Sequence, residues 1–397
     1  VTASLDDYRW LTGPAGPWLA RAAEERAART PLVRLAARLR RELTSERTHL
    51  VLEQVELRQR ATEKFTRAGG LYFTPQGLAQ ATDEPLAQYK AARFSLGEPA
   101  VDLCCGIGGD LLALGDGRSC VGIDRNEISA HLAEVNAGVY RRAGTTVRCG
   151  EAGAAALTGC AAWHIDPDRR PEGRRTVRAC RFDPPWETIE GLLAACNSGA
   201  VKLAPASKLP EDAARRCQRE WIESRGECRQ QVAWFGDLAR QAGTCAATMI
   251  DGRGGPATVV GIPDEPAPLA PIVGRYVYEP CAAVRAAHLV GSLCGQMGVQ
   301  LLDGGSSYLT SERLVDHALA AGFEVLAQLP FDMKRLKDTI RQLGLGPVEV
   351  KKRGVDVDPD QVRRQLTHGE GAPGVVLIAK VGARTTAIIA RRIAPPA

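Results

Sequence analysis

Asp102-Leu103-Cys104-Cys105-Gly106-Ile107-Gly108-Gly109-Asp110 decides how the rest of the chain is read. It follows a short apolar lead-in, Pro99-Ala-Val101, and precedes an apolar run, Leu111-Leu-Ala-Leu114. That order reads as strand, glycine turn, helix. Such a turn brings backbone N–H groups and a helix N-terminus up to a ligand. Two acids flank it. Asp102 stands four residues before the first glycine, and Asp124 closes the next apolar run, Cys120-Val-Gly-Ile123, about 20 residues on.

Two ligand classes compete for such a turn. A dinucleotide site wants Gly-x-Gly-x-x-Gly, the third glycine allowing close helix–strand packing. Here the third position is Leu111. An acid before the turn has no role toward a pyrophosphate, but it suits a ligand carrying an amino group. S-adenosylmethionine (SAM) carries one, with a sulfonium and a ribose. The acid after the second strand suits a ribose diol in either class, because a carboxylate accepts from two hydroxyls. The pattern favours SAM.

Outward from the turn, about 95 to 262 alternates strand and helix. Candidate strands are Pro99–Leu103, Cys120–Ile123, Thr146–Cys149, Ala161–Ile165, Ala200–Leu203, Glu227–Trp234 and Ala246–Ile250. This implies an α/β, Rossmann-like parallel sheet with helices on both faces. The last two strands lack a long helix between them, which suggests an antiparallel edge. Residues before about 90 show helical spacing instead, as in Leu50-Val-Leu-Glu-Gln-Val-Glu-Leu57. Thr74-Pro75 reads as an N-cap followed by proline at the first helical position. Pro263, Pro266, Pro268 and Pro271 mark a boundary. Beyond it, strands are expected at Arg275–Tyr278, Tyr308–Thr310, Phe323–Leu329, Val348–Lys351, Gly374–Ala379 and Thr386–Ala390. Helices are expected at Ala283–Met297, Met333–Leu343 and Pro359–Leu366. The expected organisation is a helical N-terminal region (1–92), a SAM-binding domain (93–265) and a smaller basic α/β domain (270–397).

Bulk composition excludes some classes. No run approaches 18 apolar residues, so no membrane span is expected. The opening Val1-Thr-Ala-Ser-Leu-Asp-Asp7 does not read as a secretory signal. Twelve cysteines are spread from Cys104 to Cys294 without a Cys-x-x-Cys. Reduced, mostly buried thiols in a cytoplasmic protein are expected, with no metal site. Net charge is +5, yet Phe331–Ala397 alone holds 13 Lys/Arg against 7 Asp/Glu, a net of +6. A basic end domain suits nucleic acid; a solvated surface is the plain alternative. His164, His288, His317 and His368 have no partner spacing and read as packing or surface residues.

Two proline motifs define the substrate side. The fourth strand runs into Asp166-Pro167-Asp168-Arg169-Arg170, and Arg181-Phe182-Asp183-Pro184-Pro185-Trp186 follows. A carboxylate beside a proline-turn carbonyl accepts hydrogen bonds from an amino group and aligns the nitrogen lone pair. An aromatic ring can stack on a flat base. Proline rigidifies the turn. Asp166, Pro167, Asp183, Pro184 and Trp186 are the catalytic candidates, with Trp186 as a base-stacking wall or an ordinary buried aromatic. Arg169, Arg170, Arg174, Arg175, Arg178 and Arg181 between the motifs suit a phosphodiester or form a solvated loop. Which motif faces the target nitrogen stays open.

The Asp102–Asp110 turn and Asp124 resemble the first two motifs of class I SAM-dependent methyltransferases. The resemblance implies that Gly106 and Gly108 pass under the amino-acid part of SAM. It implies that Asp102 helps hold the amino group and Asp124 the ribose. Cys104, Arg125 and Asp166 line the same site, and Glu151 takes the slot near the adenine amine. Asp183-Pro-Pro-Trp186 resembles the Asp/Asn-Pro-Pro-aromatic tetrad of amine methyltransferases.

The whole chain resembles bacterial class I methyltransferases with a THUMP-like C-terminal domain. The segments that carry this are Tyr72-Phe73-Thr74, Asp166-Pro-Asp-Arg-Arg170, Val201-Lys-Leu-Ala-Pro205, Glu220-Trp-Ile-Glu-Ser-Arg-Gly226 and Tyr276-Val-Tyr-Glu-Pro280. Phe73 is a further substrate-side candidate. The helical N-terminus and Pro-Pro-Trp also resemble trimethylguanosine synthase-type RNA methyltransferases, which act on guanine N2; Asp183 stands where that family has serine. The resulting expectation is methylation of a base nitrogen of RNA (tRNA, rRNA or a cap-like guanine). Alternatives are a DNA or small-molecule methyltransferase, and a non-enzymatic RNA-binding protein that retains SAM. Lys334, Arg335 and Lys337, and Lys351-Lys352-Arg353, could face RNA or solvent.

Overall fold

The computed structural model describes residues 3–168, 182–252, 254–302, 307–366 and 370–394. The chain divides into two compact units. The first holds Val1–Cys217 and Val232–Ala242, the second Gln218–Gln231 and Gly243–Ala397. The helical N-terminal region thus shares a unit with the glycine-turn sheet. The strands after Cys217 fall mostly in the second unit.

In the first unit, six helices precede the sheet: α1 (Leu5–Thr12), α2 (Gly16–Ala27), α3 (Leu32–Leu39), α4 (Ser45–Ala61), α5 (Pro75–Gln80) and α6 (Glu84–Ala91). Side-chain caps set several starts. Ser4, Thr44, Thr74 and Asp83 each accept from a first-turn N–H of the helix they open. The Thr74-Pro75 start is where its residues place it. Leu11, Leu19, Leu35, Leu39, Val51 and Leu57 bury one face of these helices around Phe65 and Phe73. Phe73 is 1% exposed, its ring 5.9 Å from that of Phe65. Phe73→Ala is therefore expected to cost about 3–5 kcal/mol through the cavity it leaves. Denaturant unfolding measures this, and a loss under 1 kcal/mol would contradict the packing.

The first unit's sheet then builds from β1 (Ala100–Leu103), α7 (Leu111–Leu114), β2 (Cys120–Asp124), α8 (Glu127–Val139), β3 (Thr145–Cys149), β4 (Ala162–Ile165), α9 (Trp186–Ala195), β5 (Gly199–Leu203) and α10 (Glu211–Arg216). The strand order is β3-β2-β1-β4-β5, all parallel. Every residue of β1, β4 and β5 is buried, as expected of a parallel sheet covered on both faces.

Two strands join the units by chain: β6 (Gln218–Ser224) lies in the second, and β7 (Glu227–Trp234) starts there and ends in the first. Within the second unit, β8 (Cys245–Met249) runs parallel to β6, and β9 (Ala257–Gly261) runs antiparallel to β8. The expected antiparallel edge exists, but between β8 and β9, with β6 set between β7 and β8. The sequence does not mark β6 as a strand because it carries Glu220 and Glu223, on opposite faces and both buried. Each is satisfied: Thr248 Oγ1 donates to Glu220 at 2.6 Å, and the Ala283 N–H donates to Glu223 at 2.8 Å.

The rest of the second unit comprises β10 (Tyr276–Pro280), α11 (Ala282–Ala286), α12 (Val290–Met297), β11 (Gln300–Leu301), β12 (Leu309–Ser311), β13 (Ala320–Pro330), α13 (Met333–Gln342), β14 (Leu345–Arg353), α14 (Pro359–Leu366), β15 (Ala372–Val381) and β16 (Arg384–Arg392). The single helix expected over Ala283–Met297 is split at His288, whose φ is +59°. A seven-stranded sheet runs β11-β12-β10-β13-β16-β15-β14, antiparallel except for β14 beside β15. Leu336, Ile340, Val362 and Leu366 dock α13 and α14 on it, leaving Lys334, Arg335, Arg363 and Arg364 exposed.

Candidate active site

Asp102 of β1 lies opposite His164 of β4, so these neighbouring strands release the chain at the same edge of the sheet. β1 feeds the glycine turn and β4 feeds Asp166-Pro167-Asp168. Strand order reverses between β1 and β4, the place where open parallel sheets bind ligands.

Cys104, Gly106 and Gly108 all have positive φ, at +54°, +55° and +95°. A Cβ on Gly106 would meet nothing within 4 Å, so the turn's upper side is open. Gly109 has the opposite reason: its Cβ would lie 3.0 Å from the Thr82 backbone nitrogen. The turn is tied to β2 through Asp124, which accepts from the Gly106 N–H at 2.8 Å and the Asn126 N–H at 2.9 Å. This carboxylate is half-buried beside open space. A glycine cradle edged by such an acid fits a ligand with a ribose, and therefore fits SAM. Glu151 is exposed just past β3. The Cys104 thiol is pushed well above its ordinary value by burial, reinforced by Asp124 and Asp166, so it is no thiolate nucleophile.

Beneath the turn lies a buried polar chain. His164 Nδ1 is 2.7 Å from Asp102 Oδ1, both side chains 1% exposed. His164 Nε2 is 3.5 Å from Lys90 Nζ. Lys90, 2% exposed, pairs with Asp110 at 2.6 Å. Thr82 Oγ1 donates to Asp110 at 2.8 Å and accepts from Lys202 Nζ at 2.8 Å. Lys202 donates in turn to Asp166 Oδ2 at 2.6 Å. Burial alone would raise the Asp110 carboxyl, but Lys90, His164 and Lys202 outweigh it and hold Asp110 well below the ordinary range. Burial pulls Lys90 down, with Asp110 opposing. Burial raises Asp102, and His164 only partly offsets this. Asp102 is thus enclosed and engaged by His164. His164 engages Oδ1 only; the buried Oδ2 has no hydrogen-bond partner among the described residues.

The two proline motifs come together. Asp168 and Asp183 exchange backbone hydrogen bonds of 2.7 and 2.9 Å. Arg169, Arg170, Arg174, Arg175, Arg178 and Arg181 lie outside the described residues, as does Cys180, the thiol nearest the second proline motif in sequence. Asp183 Oδ2 pairs with Arg125 at 2.6 Å, and the pair is largely open to solvent. Asp183 raises the Arg125 guanidinium further. Pro167 is buried, Pro184 half-buried.

Three sequence-based placements change. Trp186 is 5% exposed at the start of α9, packs in the sheet core and donates its indole N–H to Glu190 at 2.8 Å. It is the ordinary buried aromatic, with no free face for a base. Phe73 belongs to the helical core and is closed to a substrate. Lys351 and Arg353 are not free phosphate ligands: Glu279 pairs with them at 2.9 and 2.6 Å. Conversely, Thr82, Lys90, Asp110, His164 and Lys202 were missed. The available signal was a charged or polar residue inside an apolar strand, Lys202 in Gly-Ala-Val-Lys-Leu203 and His164 in Ala-Trp-His-Ile165.

Comparison with known proteins bears on the fold that carries this site. Residues 320–392 match the family described as THUMP domain-like, and residues 4–61 a domain of unknown function, DUF8688. The chain is 29% identical over 363 residues to a protein named "Uncharacterized S-adenosylmethionine-dependent methyltransferase" from Mycobacterium tuberculosis, in strains CDC 1551 and H37Rv. That match spans 88% of this chain and 98% of the relative. A crystal structure described as a "putative methyltransferase" from Porphyromonas gingivalis W83 superposes with a TM-score of 0.76 at 20% identity, over 89% of this chain and 92% of that one. The chain has the class I methyltransferase fold with a THUMP-like domain. In this methyltransferase fold, β13 to β16 with α13 and α14 make up the THUMP-like match. No helix among the described residues is long and apolar enough to cross a membrane. Among those residues, no three His, Cys, Asp or Glu side chains are grouped to hold a metal ion.

Proposed function

We propose that the protein is a SAM-dependent methyltransferase acting on a base nitrogen of RNA. The methyltransferase assignment rests on the fold, on the glycine cradle tied to Asp124, and on the SAM-dependent relative that matches along nearly its whole length. RNA as substrate class is supported by the THUMP-like match and by the exposed Lys334, Arg335, Arg363 and Arg364. The single observation that carries the reaction type is the Asp168–Asp183 bridge, which sets two Asp-Pro motifs side by side next to the turn.

Gly106, Gly108 and Asp124 would hold SAM, with Arg125 and Glu151 at the rim. SAM supplies an electrophilic methyl group. The protein's part is positioning. Asp166 is half-buried and its Oδ2 accepts from Lys202, so Oδ1 is the oxygen that would accept from a base amino group. That contact, with the rigid Pro167 turn, orients the nitrogen lone pair; the gain is one of orientation rather than covalent chemistry. The thiols of half-buried Cys104 and buried Cys105 are both pushed up by burial, which argues against a thiol adduct at either of them.

Mass spectrometry of nucleosides tests this reading. RNA incubated with the protein and methyl-labelled SAM is expected to yield a labelled N-methyl nucleoside. Asp166→Ala should lower the yield by roughly 100-fold or more, in line with loss of an orienting contact. Label on a base carbon, or only on DNA or a small molecule, would overturn the base-nitrogen or RNA assignment. SAM binding without methyl transfer to any RNA would favour the non-enzymatic alternative.

A further inference from the structure

Asp166 and Asp183 differ most in what holds them. Asp183 is held by Arg125, whose side chain is 54% exposed. An exposed pair is screened and exchanges with water. Asp166 is held by Lys202, whose side chain is 7% exposed and whose Nζ is itself bound by Thr82 at 2.8 Å, with Asp110 at 3.8 Å. Lys202 projects from β5, the strand beside β4, so its Cα is fixed by the sheet. The ammonium occupies Oδ2.

We infer that Lys202 is the positioning residue that fixes Asp166 as the acceptor for the target amino group, while Arg125–Asp183 is a displaceable pair. This rests on the methyltransferase reading above. It also decides between the two proline motifs: the strand-end acid, held from inside, faces the nitrogen. Pre-organised groups outperform mobile ones because no orientation has to be found at the moment of reaction. An Nζ bound by both Thr82 and Asp166 is set to within a hydrogen-bond length in two directions. Lys202, 7% exposed, acts through Asp166.

The test combines binding, transfer and melting in the full-length chain. Lys202→Met and Lys202→Arg are compared with Asp166→Asn, using labelled SAM and a pool of in vitro transcribed tRNAs. Lys202→Met is expected to bind SAM within about threefold of the parent in calorimetry. Its single-turnover transfer should be about 100-fold slower, with Lys202→Arg recovering about tenfold. Melting shifts of Lys202→Met and Asp166→Asn should be non-additive in the double variant, by about 3 °C or more. Should Lys202→Met not fold, Thr82→Val removes the other side of the clamp and is expected to slow transfer about tenfold at unchanged SAM affinity. Transfer by Lys202→Met within threefold of the parent, or additive melting shifts, would overturn the inference. A parent that methylates none of the tRNA pool, with melting still non-additive, would instead defeat tRNA as the substrate and leave the Lys202–Asp166 clamp standing.

Discussion

Replacing Asp110 with alanine is expected to destabilise the first unit by about 3–5 kcal/mol, the range for removing one partner of a buried ion pair. Asp110 is the only carboxylate within 4 Å of Lys90 among the described residues, and Lys90 is 2% exposed. The substitution leaves that ammonium enclosed without its counter-charge, and also leaves the Thr82 hydroxyl without its acceptor. The cost depends on pH. Asp110 sits below the ordinary carboxylate range when folded, so its stabilisation is present above that range and is lost as pH falls through its folded value. Asp102 works the other way. Its raised value gives a contribution that is complete below the ordinary range and disappears as pH rises through the folded value. Subtracting the Asp110→Ala unfolding curve from the parent's isolates the first effect. The difference should be constant from neutral pH down to the ordinary carboxylate range, then shrink on further acidification. A pH-independent difference, or one under 1 kcal/mol, would contradict the ion-pair assignment.

Replacing Asp124 with alanine is expected to weaken SAM binding roughly 10- to 200-fold, the value of hydrogen bonds to a charged group. The loss has two sources. The carboxylate edges the open side of the cradle, where it would accept from ribose hydroxyls. It also carries the Gly106 and Asn126 N–H groups, so the turn loses its tie to β2. Asp124→Asn separates them. It keeps one acceptor oxygen for a backbone N–H but loses the charge, and should fall between parent and alanine. Calorimetry gives the affinity, and melting shows that the fold persists. Unchanged SAM affinity in Asp124→Ala would move the ribose away from this acid.

Much of the fold was legible in the sequence because its strongest signals are local. An apolar lead-in, two glycines at fixed spacing and Asp124 define β1, the turn and β2 without reference to anything distant. The helix expected at Pro359–Leu366 is α14, over the same residues. Failures cluster where tertiary pairing overrides local character. β6 has buried glutamates whose partners, Thr248 and the Ala283 N–H, lie far along the chain. The clamp under Asp166 spans Thr82, Lys90, Asp110 and Lys202, residues brought together only by sheet order and by the α5–α6 connection crossing Gly109. Aromatic residues misled for the converse reason. Trp186 and Phe73 sit in motifs that suggest contact with a base, but burial decides their role, and burial is not a property of a motif.

Calorimetric titration of the protein with SAM and with NAD tests most directly whether the Asp102–Asp110 turn is a SAM cradle. A missing third glycine and an acid that ties Gly106 to β2 predict saturable SAM binding that Asp124→Ala weakens, with no binding of NAD. Clear binding of NAD and none of SAM would contradict it.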